Sequence, residues 1–214
     1  MKFFNMDSPL MRFMTKVADL MILNFLFIVT SLPVVTMGAA WTALYYVTMK
    51  MVKDEEGAIV KAYFHSFRQN FRQATVLWLG VLLAAALLVL DLLVLARIDS
   101  AVGAAFNTLF FVMSVLLVML LQYLFPSLAK FETSTLNVLK NACLMALGQL
   151  PKTLLLTAAS AGSIFITLYN EYTLSYALPV WFVLGFALLA FGNSGILVKI
   201  FDLYIGKPEE QHCE

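Results

Sequence analysis

Residues 24–46 read NFLFIVTSLPVVTMGAAWTALYY, an apolar stretch interrupted at its middle by a serine, a proline, a threonine and a glycine. Proline lacks a backbone donor and disfavours helical structure at the residue before it. Two interpretations are therefore open. The stretch is either a tight turn between two short membrane helices, or one kinked helix that crosses the membrane and continues along its surface. The choice determines the topology of the whole chain.

The composition is that of a membrane protein. Of the 214 residues, 62% are apolar and 13% are charged, whereas soluble domains carry about 45–50% apolar and about 25% charged residues. The apolar residues lie in long runs, which predicts an all-α, polytopic helical bundle forming a single membrane domain over residues 1–214. The net charge of +1 gives no electrostatic reason to expect a nucleic acid, so the expected partner is the lipid bilayer.

The apolar runs predict about six transmembrane helices. A hydrocarbon core of about 30 Å requires about 20 helical residues, so the first two helices, which the break at Pro33–Gly38 separates, are short. The predicted spans are 17–32, 36–52, 74–96, 102–125, 152–169 and 178–201.

The basic residues favour the turn at Pro33–Gly38 over the kinked helix. Six spans place every lysine and arginine except Arg97 on the cytoplasmic side. Five spans leave Lys2, Arg12 and Lys16 on the wrong side as well. Because cytoplasmic loops carry an excess of Lys and Arg, we expect six spans in the cell membrane with both termini in the cytoplasm.

The cytoplasmic segments predict interfacial amphipathic helices. In the segment that follows the second span, aromatic side chains recur at helical spacing, and the basic side chains lie largely off that face. Such a helix rests in the lipid interface or docks on a soluble partner. The segment 127–149 has a similar pattern. The predicted interface residues are Tyr63, Phe64, Phe67 and Phe71.

Polar residues inside the spans are the candidate functional positions. Asp91 is an intramembrane carboxylate, and such groups usually face a cavity or a partner; the alternative is a hydrated acid near the outer head groups, or one paired with Arg97. Thr36 lies at the break, where a discontinuous helix could line a binding site. Asn24, Asn193 and Ser194 are candidates for hydrogen bonds between helices.

Reactive constellations are not found in the sequence. G-x-x-x-x-G-K-[ST], H-E-x-x-H, C-x-x-C and G-x-S-x-G are all missing, and these are the patterns of phosphate binding, zinc ligation and nucleophilic catalysis. We therefore expect no enzyme activity, no catalytic residue, no cofactor and no metal.

Several segments carry a family resemblance: DSPLMRFMTKVADLMILNFLFIVTSLPVVTMGAAWTALYY at 7–46, AYFHSFRQNFRQAT at 62–75, FPSLAKFE at 125–132 and LKNA at 139–142. Together they resemble the YesL-like family of bacterial integral membrane proteins, whose biochemical function is unproven. The resemblance adds Asn70 to the candidate polar positions and assigns no catalytic role. The positions that match the family pattern are Asp7, Pro9, Asn24, Pro33, Thr36, Gly38, Tyr45, Phe67, Asn70 and Asn141.

The resemblance also implies which other proteins act together with this one. Members are similar to proteins found beside sugar-uptake systems and polysaccharide-degrading enzymes in Gram-positive bacteria. We therefore expect an accessory or transport-associated component of carbohydrate (oligosaccharide) uptake, with sugar-transport subunits as partners. The alternatives are a secondary transporter with a polar cavity near Asp91, and a membrane scaffold or envelope-stress sensor.

Overall fold

The computed structural model describes residues 9–55, 57–95, 100–131 and 133–205, and within these ranges every regular element is a helix. This confirms the all-α class. The elements are α1 (Pro9–Ser31), a 3-10 turn (Val34–Thr36), α2 (Met37–Val52), α3 (Ile59–Leu95), α4 (Ala101–Lys130), α5 (Thr135–Gly148), α6 (Leu150–Leu168), α7 (Glu171–Val180), a π-helix (Trp181–Gly185) and α8 (Phe186–Ile205).

The turn predicted at Pro33–Gly38 is present, and the kinked-helix interpretation is wrong. The hydroxyl of Thr36 donates to the carbonyls of Thr30 (2.6 Å) and Pro33 (2.8 Å), which fixes the reversal of the chain. At the far end of the hairpin, the ammonium of Lys16 lies 2.5 Å from the carboxylate of Asp54, just beyond α2. Helices α1 and α2 therefore run antiparallel.

Helix α2 lies at the centre of the bundle, enclosed by α1, α3, α4 and α8. With 16 residues it is about 24 Å long at 1.5 Å per residue. Five other helical stretches in the described part of the chain are long and apolar enough to cross a membrane. A helix that other helices enclose does not have to match the lipid thickness by itself. The residues of α2 that are buried are Gly38, Ala39, Ala40, Thr42, Ala43, Leu44, Tyr45, Val47, Thr48, Met49 and Met51.

The start of α2 packs closely against α3. A β-carbon on Gly38 would lie 2.7 Å from the carbonyl oxygen of Ala74 and 2.7 Å from the β-carbon of Trp78, so this contact requires glycine. The indole of Trp78 donates to the carbonyl of Val34 in the turn (2.7 Å). The turn therefore lies beside the middle of α3, and its expected position at the outer surface is not confirmed. From Trp78 to Leu95, α3 continues for about 26 Å.

Three boundaries differ from those predicted. The interfacial helix and the span expected at 74–96 are one continuous helix, α3. The span predicted to end at 125 continues through Pro126 to Lys130 in α4; proline is tolerated inside membrane helices. The outer turn expected near 170–176 is short, since α7 begins at Glu171 with Asn170 as its cap. The second amphipathic segment does form a helix, α5.

Candidate functional site

Asn24 of α1 is buried and bridges the last helical stretch of the chain. Its amide nitrogen donates to the carbonyls of Trp181 (3.0 Å) and Phe182 (2.7 Å). Its amide oxygen accepts from the backbone N–H of Ala187 (3.1 Å). The side chain of Asn24 therefore hydrogen-bonds to the backbone at both the start and the end of the π-helix. The predicted role of Asn24 in a bond between helices is confirmed.

A proline and a glycine flank the tryptophan at the start of the π-helix. Pro179, two residues before it, has no N–H to offer its own helix. The ring of Trp181 lies over Gly185, where a β-carbon would come within 2.7 Å of the ring. The indole N–H of Trp181 donates to the hydroxyl of Thr167 in α6 (2.9 Å). Since π-helical turns often occur at functional sites, this junction of α1, α6 and α8 is a candidate site.

A second set of polar contacts joins α2, α6 and α8 below the π-helix. The amide of Asn193 donates to the hydroxyl of Ser160 (3.1 Å) and lies beside the buried hydroxyl of Tyr45. The hydroxyls of Thr48 and Ser194 lie 2.8 Å apart. The predicted bonds of Asn193 and Ser194 between helices are thus confirmed, whereas sequence reasoning missed Tyr45, Thr48 and Ser160. The available signal was the set of hydroxyl-bearing residues three positions apart on α2, namely Thr42, Tyr45 and Thr48.

A groove of about 910 Å³ opens between α6 and the stretch from α7 to α8. Its walls are mostly apolar, and Asn193 and Ser163 contribute polar groups to it. The aromatic side chains of Tyr172, Tyr176 and Trp181 line one side. The shape and the apolar walls suit a hydrocarbon chain better than a free sugar or an ion.

Tyr63 does not belong to an exposed interface, and that prediction is wrong for this residue. Its side chain is fully buried, and its hydroxyl lies 2.6 Å from the hydroxyl of Thr30 near the end of α1. The α1–α2 hairpin covers the Tyr63 side of α3. Phe67 is half-buried and its ring stacks on that of Tyr63, with the ring centroids 6.3 Å apart.

The other side of the same helix is exposed. Phe64 and Phe71 are both accessible. Around Phe64, four polar residues of α3 surround a shallow depression of about 600 Å³. We call this region the α3 surface; it consists of Lys61, Phe64, His65, Arg68 and Gln69.

Charged residues gather where α2 and α8 end. The ammonium of Lys53 donates to the carboxylate of Asp202 in α8 (2.9 Å). The hydrogen bond and the charge of Lys16 hold the pKa of Asp54 below its ordinary value. These two ion pairs place the start of α1, the loop after α2 and the end of α8 at the same end of the bundle.

The remaining predicted positions are not brought to these sites. Asp91 is half-buried in the outer part of α3 and lines neither the groove nor the α3 surface; its proposed partner Arg97 lies outside the described residues. The amide of Asn70 donates to the carbonyl of Ser66 (3.1 Å) in its own helix. Thr36 fixes the turn and lines no described cavity.

Comparisons with known proteins agree with the sequence. Residues 20–92 match the family "Protein of unknown function, DUF624". This region contains the second half of α1, all of α2 and most of α3. The chain is also 28% identical, over 167 residues, to the "Uncharacterized protein YesL" of Bacillus subtilis (strain 168), a match that covers 76% of this chain and 78% of the relative. No solved structure matches the chain. Both matches support a YesL-like family of unknown function and confirm the resemblance drawn from the sequence.

Proposed function

We propose that this protein is a non-enzymatic accessory subunit of the cell membrane that presents the α3 surface to a partner on the cytoplasmic side. The observation that supports the proposal is the exposure of Phe64 within a basic surface, while the opposite side of α3 is buried against α1. An aromatic side chain surrounded by lysine and arginine is typical of a surface that meets a protein or anionic lipid.

The proposed orientation has both termini in the cytoplasm. The ion pairs of Lys16 with Asp54 and of Lys53 with Asp202 join the start of α1 to the end of α8. Membrane proteins retain Lys and Arg on the cytoplasmic side, and this end of the bundle is rich in lysine. We count α2 as a short sixth span, which its enclosure by other helices makes possible.

The partner proposed is a subunit of a sugar-uptake system. Support for this choice comes from the resemblance to the YesL-like family, whose members are similar to proteins found beside such systems. The proposed role is therefore to assist the assembly or stability of an oligosaccharide transporter without carrying out chemistry.

Purification in a mild detergent tests the partner. We expect the wild-type chain to copurify with a constant set of membrane proteins that includes a sugar-transport subunit. The double variant Phe64→Ser/Arg68→Glu should lose that subunit, because it removes the aromatic side chain and reverses a charge on the α3 surface. Leu87→Ala on the exposed apolar side of α3 is the matched control and should retain it. Recovery of the chain alone, or equal recovery with the double variant, would contradict the proposal.

Cysteine labelling tests the orientation independently. In a background without Cys143 and Cys213, a membrane-impermeant maleimide should label Tyr172→Cys in intact cells. It should label Gly57→Cys only after permeabilisation. Gly57 has open space around it, and Tyr172 is 76% exposed, so both positions tolerate the change. Labelling of Gly57→Cys in intact cells would show the opposite orientation.

A further inference from the structure

The last turns of three helices enclose a pocket at the lysine-rich end of the bundle. The pocket has a volume of about 190 Å³ and lies between α2, α4 and α8. We propose that it binds a phosphate group, carried either by a membrane lipid or by a soluble phosphate ester. The inference rests on the proposed membrane orientation, which places the pocket at the cytoplasmic interface. Its lining includes Lys50, Lys53, Lys130, Glu55 and Asp202.

Two of the three lysines are available to an anion. Lys53 is held by Asp202 at 2.9 Å. Among the described residues, neither Lys50 nor Lys130 forms a salt bridge. The ammonium of Lys50 lies 4.5 Å from the centre of the Tyr46 ring, a cation–π contact that holds it beside the cavity. Within the described part of the chain, the pocket therefore presents two ammonium groups without an anionic partner.

The helix dipole explains part of this arrangement. Lys50 and Lys130 lie in the last turns of α2 and α4, where a positive charge is favourable. The favourable interaction with the helix dipole would be the same if the two lysine side chains pointed away from each other into water. In this structure the lysines of two different helices converge on one cavity, which adds repulsion between like charges. The three lysines and two carboxylates of the lining leave an excess of one positive charge, which an anion can neutralise.

Phosphate fits the pocket better than other anions. Its oxygens accept several charge-assisted hydrogen bonds at once, which suits two separate ammonium groups. Basic pockets between membrane helices on the cytoplasmic side bind phosphate-bearing head groups. The walls contributed by Met49, Val198 and Phe201 are apolar, so an ester of phosphate with a glycerol or a sugar has carbon atoms to place against them.

Lipid titration followed by native mass spectrometry tests the proposal with the full chain in detergent. The probes are dioctanoyl phosphatidylglycerol and dioctanoylglycerol, which differ in the phosphoglycerol group. We expect the wild-type chain to bind the first at lower concentration than the second. Lys50→Gln/Lys130→Gln should weaken binding of the first by about tenfold or more, because it removes both ammonium groups that would meet the phosphate. Lys140→Gln/Lys199→Gln makes the same charge change at exposed positions outside the pocket and should bind as the wild type does.

The soluble arm uses glycerol 3-phosphate and thermal unfolding of the same proteins. A rise in the unfolding temperature that requires Lys50 and Lys130, without preference for the lipid probe, assigns the pocket to a soluble ester. Preference for the lipid probe assigns it to a head group. Because Lys130 is exposed, Lys130→Gln alone keeps the test valid if the double variant does not fold, and Lys50→Arg/Lys130→Arg should restore binding.

Two results would overturn the phosphate site. One is equal binding of the two lipid probes together with no effect of glycerol 3-phosphate. The other is phosphate binding that the control pair weakens as much as the pocket pair does. Failure of the proposed function is a separate result, because copurification of the partner depends on Phe64 and Arg68 and not on Lys50 or Lys130.

Discussion

The bundle around α2 and the outer part of the α3–α4 hairpin are held together differently. Around α2, side chains are buried and polar groups bond across helices. The outer hairpin, residues 79–95 and 101–118, exposes Leu and Val on most of its surface. Yet α3 and α4 have the most apolar segments of the candidate spans. In lipid, an apolar side chain has the same surroundings outside the bundle as inside it. Close contacts and buried hydrogen bonds, rather than apolar content, therefore define the packed region.

The largest expected effect comes from adding one methyl group to a glycine in the packed region, compared with the same change in the outer hairpin. Gly38→Ala places a β-carbon 2.7 Å from the carbonyl oxygen of Ala74, a backbone atom that cannot move alone. We expect a loss of about 3 kcal/mol in the free energy of unfolding, as for overpacked cores. Gly80→Ala, in the outer part of α3, meets nothing within 4 Å and should be neutral or stabilising by up to about 1 kcal/mol. Unfolding in SDS measures both, and similar values for the two variants would contradict the comparison.

The next effect concerns the polar contact between α1 and the π-helix. Asn24→Leu keeps the size of the side chain and removes three hydrogen bonds, leaving the carbonyls of Trp181 and Phe182 without that partner. Hydrogen bonds between membrane helices average about 0.6 kcal/mol each, so we expect a loss of about 2 kcal/mol. The control is Asn107→Leu at a half-buried position of α4. This variant should keep the wild-type free energy of unfolding. Hydrogen exchange at Ala187 should also increase in Asn24→Leu, and unchanged protection there would refute the bridging role.

The sequence predicted what depends on local chemistry. Pro33 marks a break in the helix, and the distribution of lysine and arginine favours a turn there over a kink, so the turn could be inferred without knowing which helices pack beside it. The bridge from Asn24 could be expected only as a hydrogen bond to some helix, since its partners lie more than 150 positions away. No local pattern identifies the π-helix that receives it.

Tyr63 illustrates why the candidate site was only partly predictable. An aromatic stripe at helical spacing suits a lipid interface and a helix–helix contact equally well, because both are apolar. Which side of α3 is covered depends on where α1 lies, and the charge pattern does not contain that information. The exposed Phe64 and the buried Tyr63 are adjacent in sequence, and only the fold distinguishes them.

A smaller effect tests whether the polar contacts of the packed region act in pairs. Thr48→Val and Ser194→Ala each break the same 2.8 Å contact, so their effects on unfolding should not add. We expect a coupling energy of about 0.6 kcal/mol in a double-mutant cycle, the average for such pairs in membranes. Thr108→Val in the outer hairpin removes a hydroxyl that bonds only within its own helix and should show no coupling to Ser194→Ala. Coupling of equal size in the two cycles would mean that the cycle does not report the contact.

The smallest effect lies at the open end of the α1–α2 hairpin, where Asp54 pairs with Lys16 in water. The pair lowers the pKa of Asp54 in the folded protein. The ionised form is therefore favoured by folding, and its contribution is present above the unfolded pKa of about 3.9. It is lost as the pH falls through the lower folded value. Asp54→Asn should slightly lower the unfolding temperature at neutral pH, with a difference that shrinks below about pH 4 and in high salt. A difference that stays constant in acid would assign the effect to the backbone of Asp54, whose φ of 54° lies in the left-handed region. Since asparagine tolerates this conformation about as well as aspartate does, the variant changes the charge and leaves the turn in place.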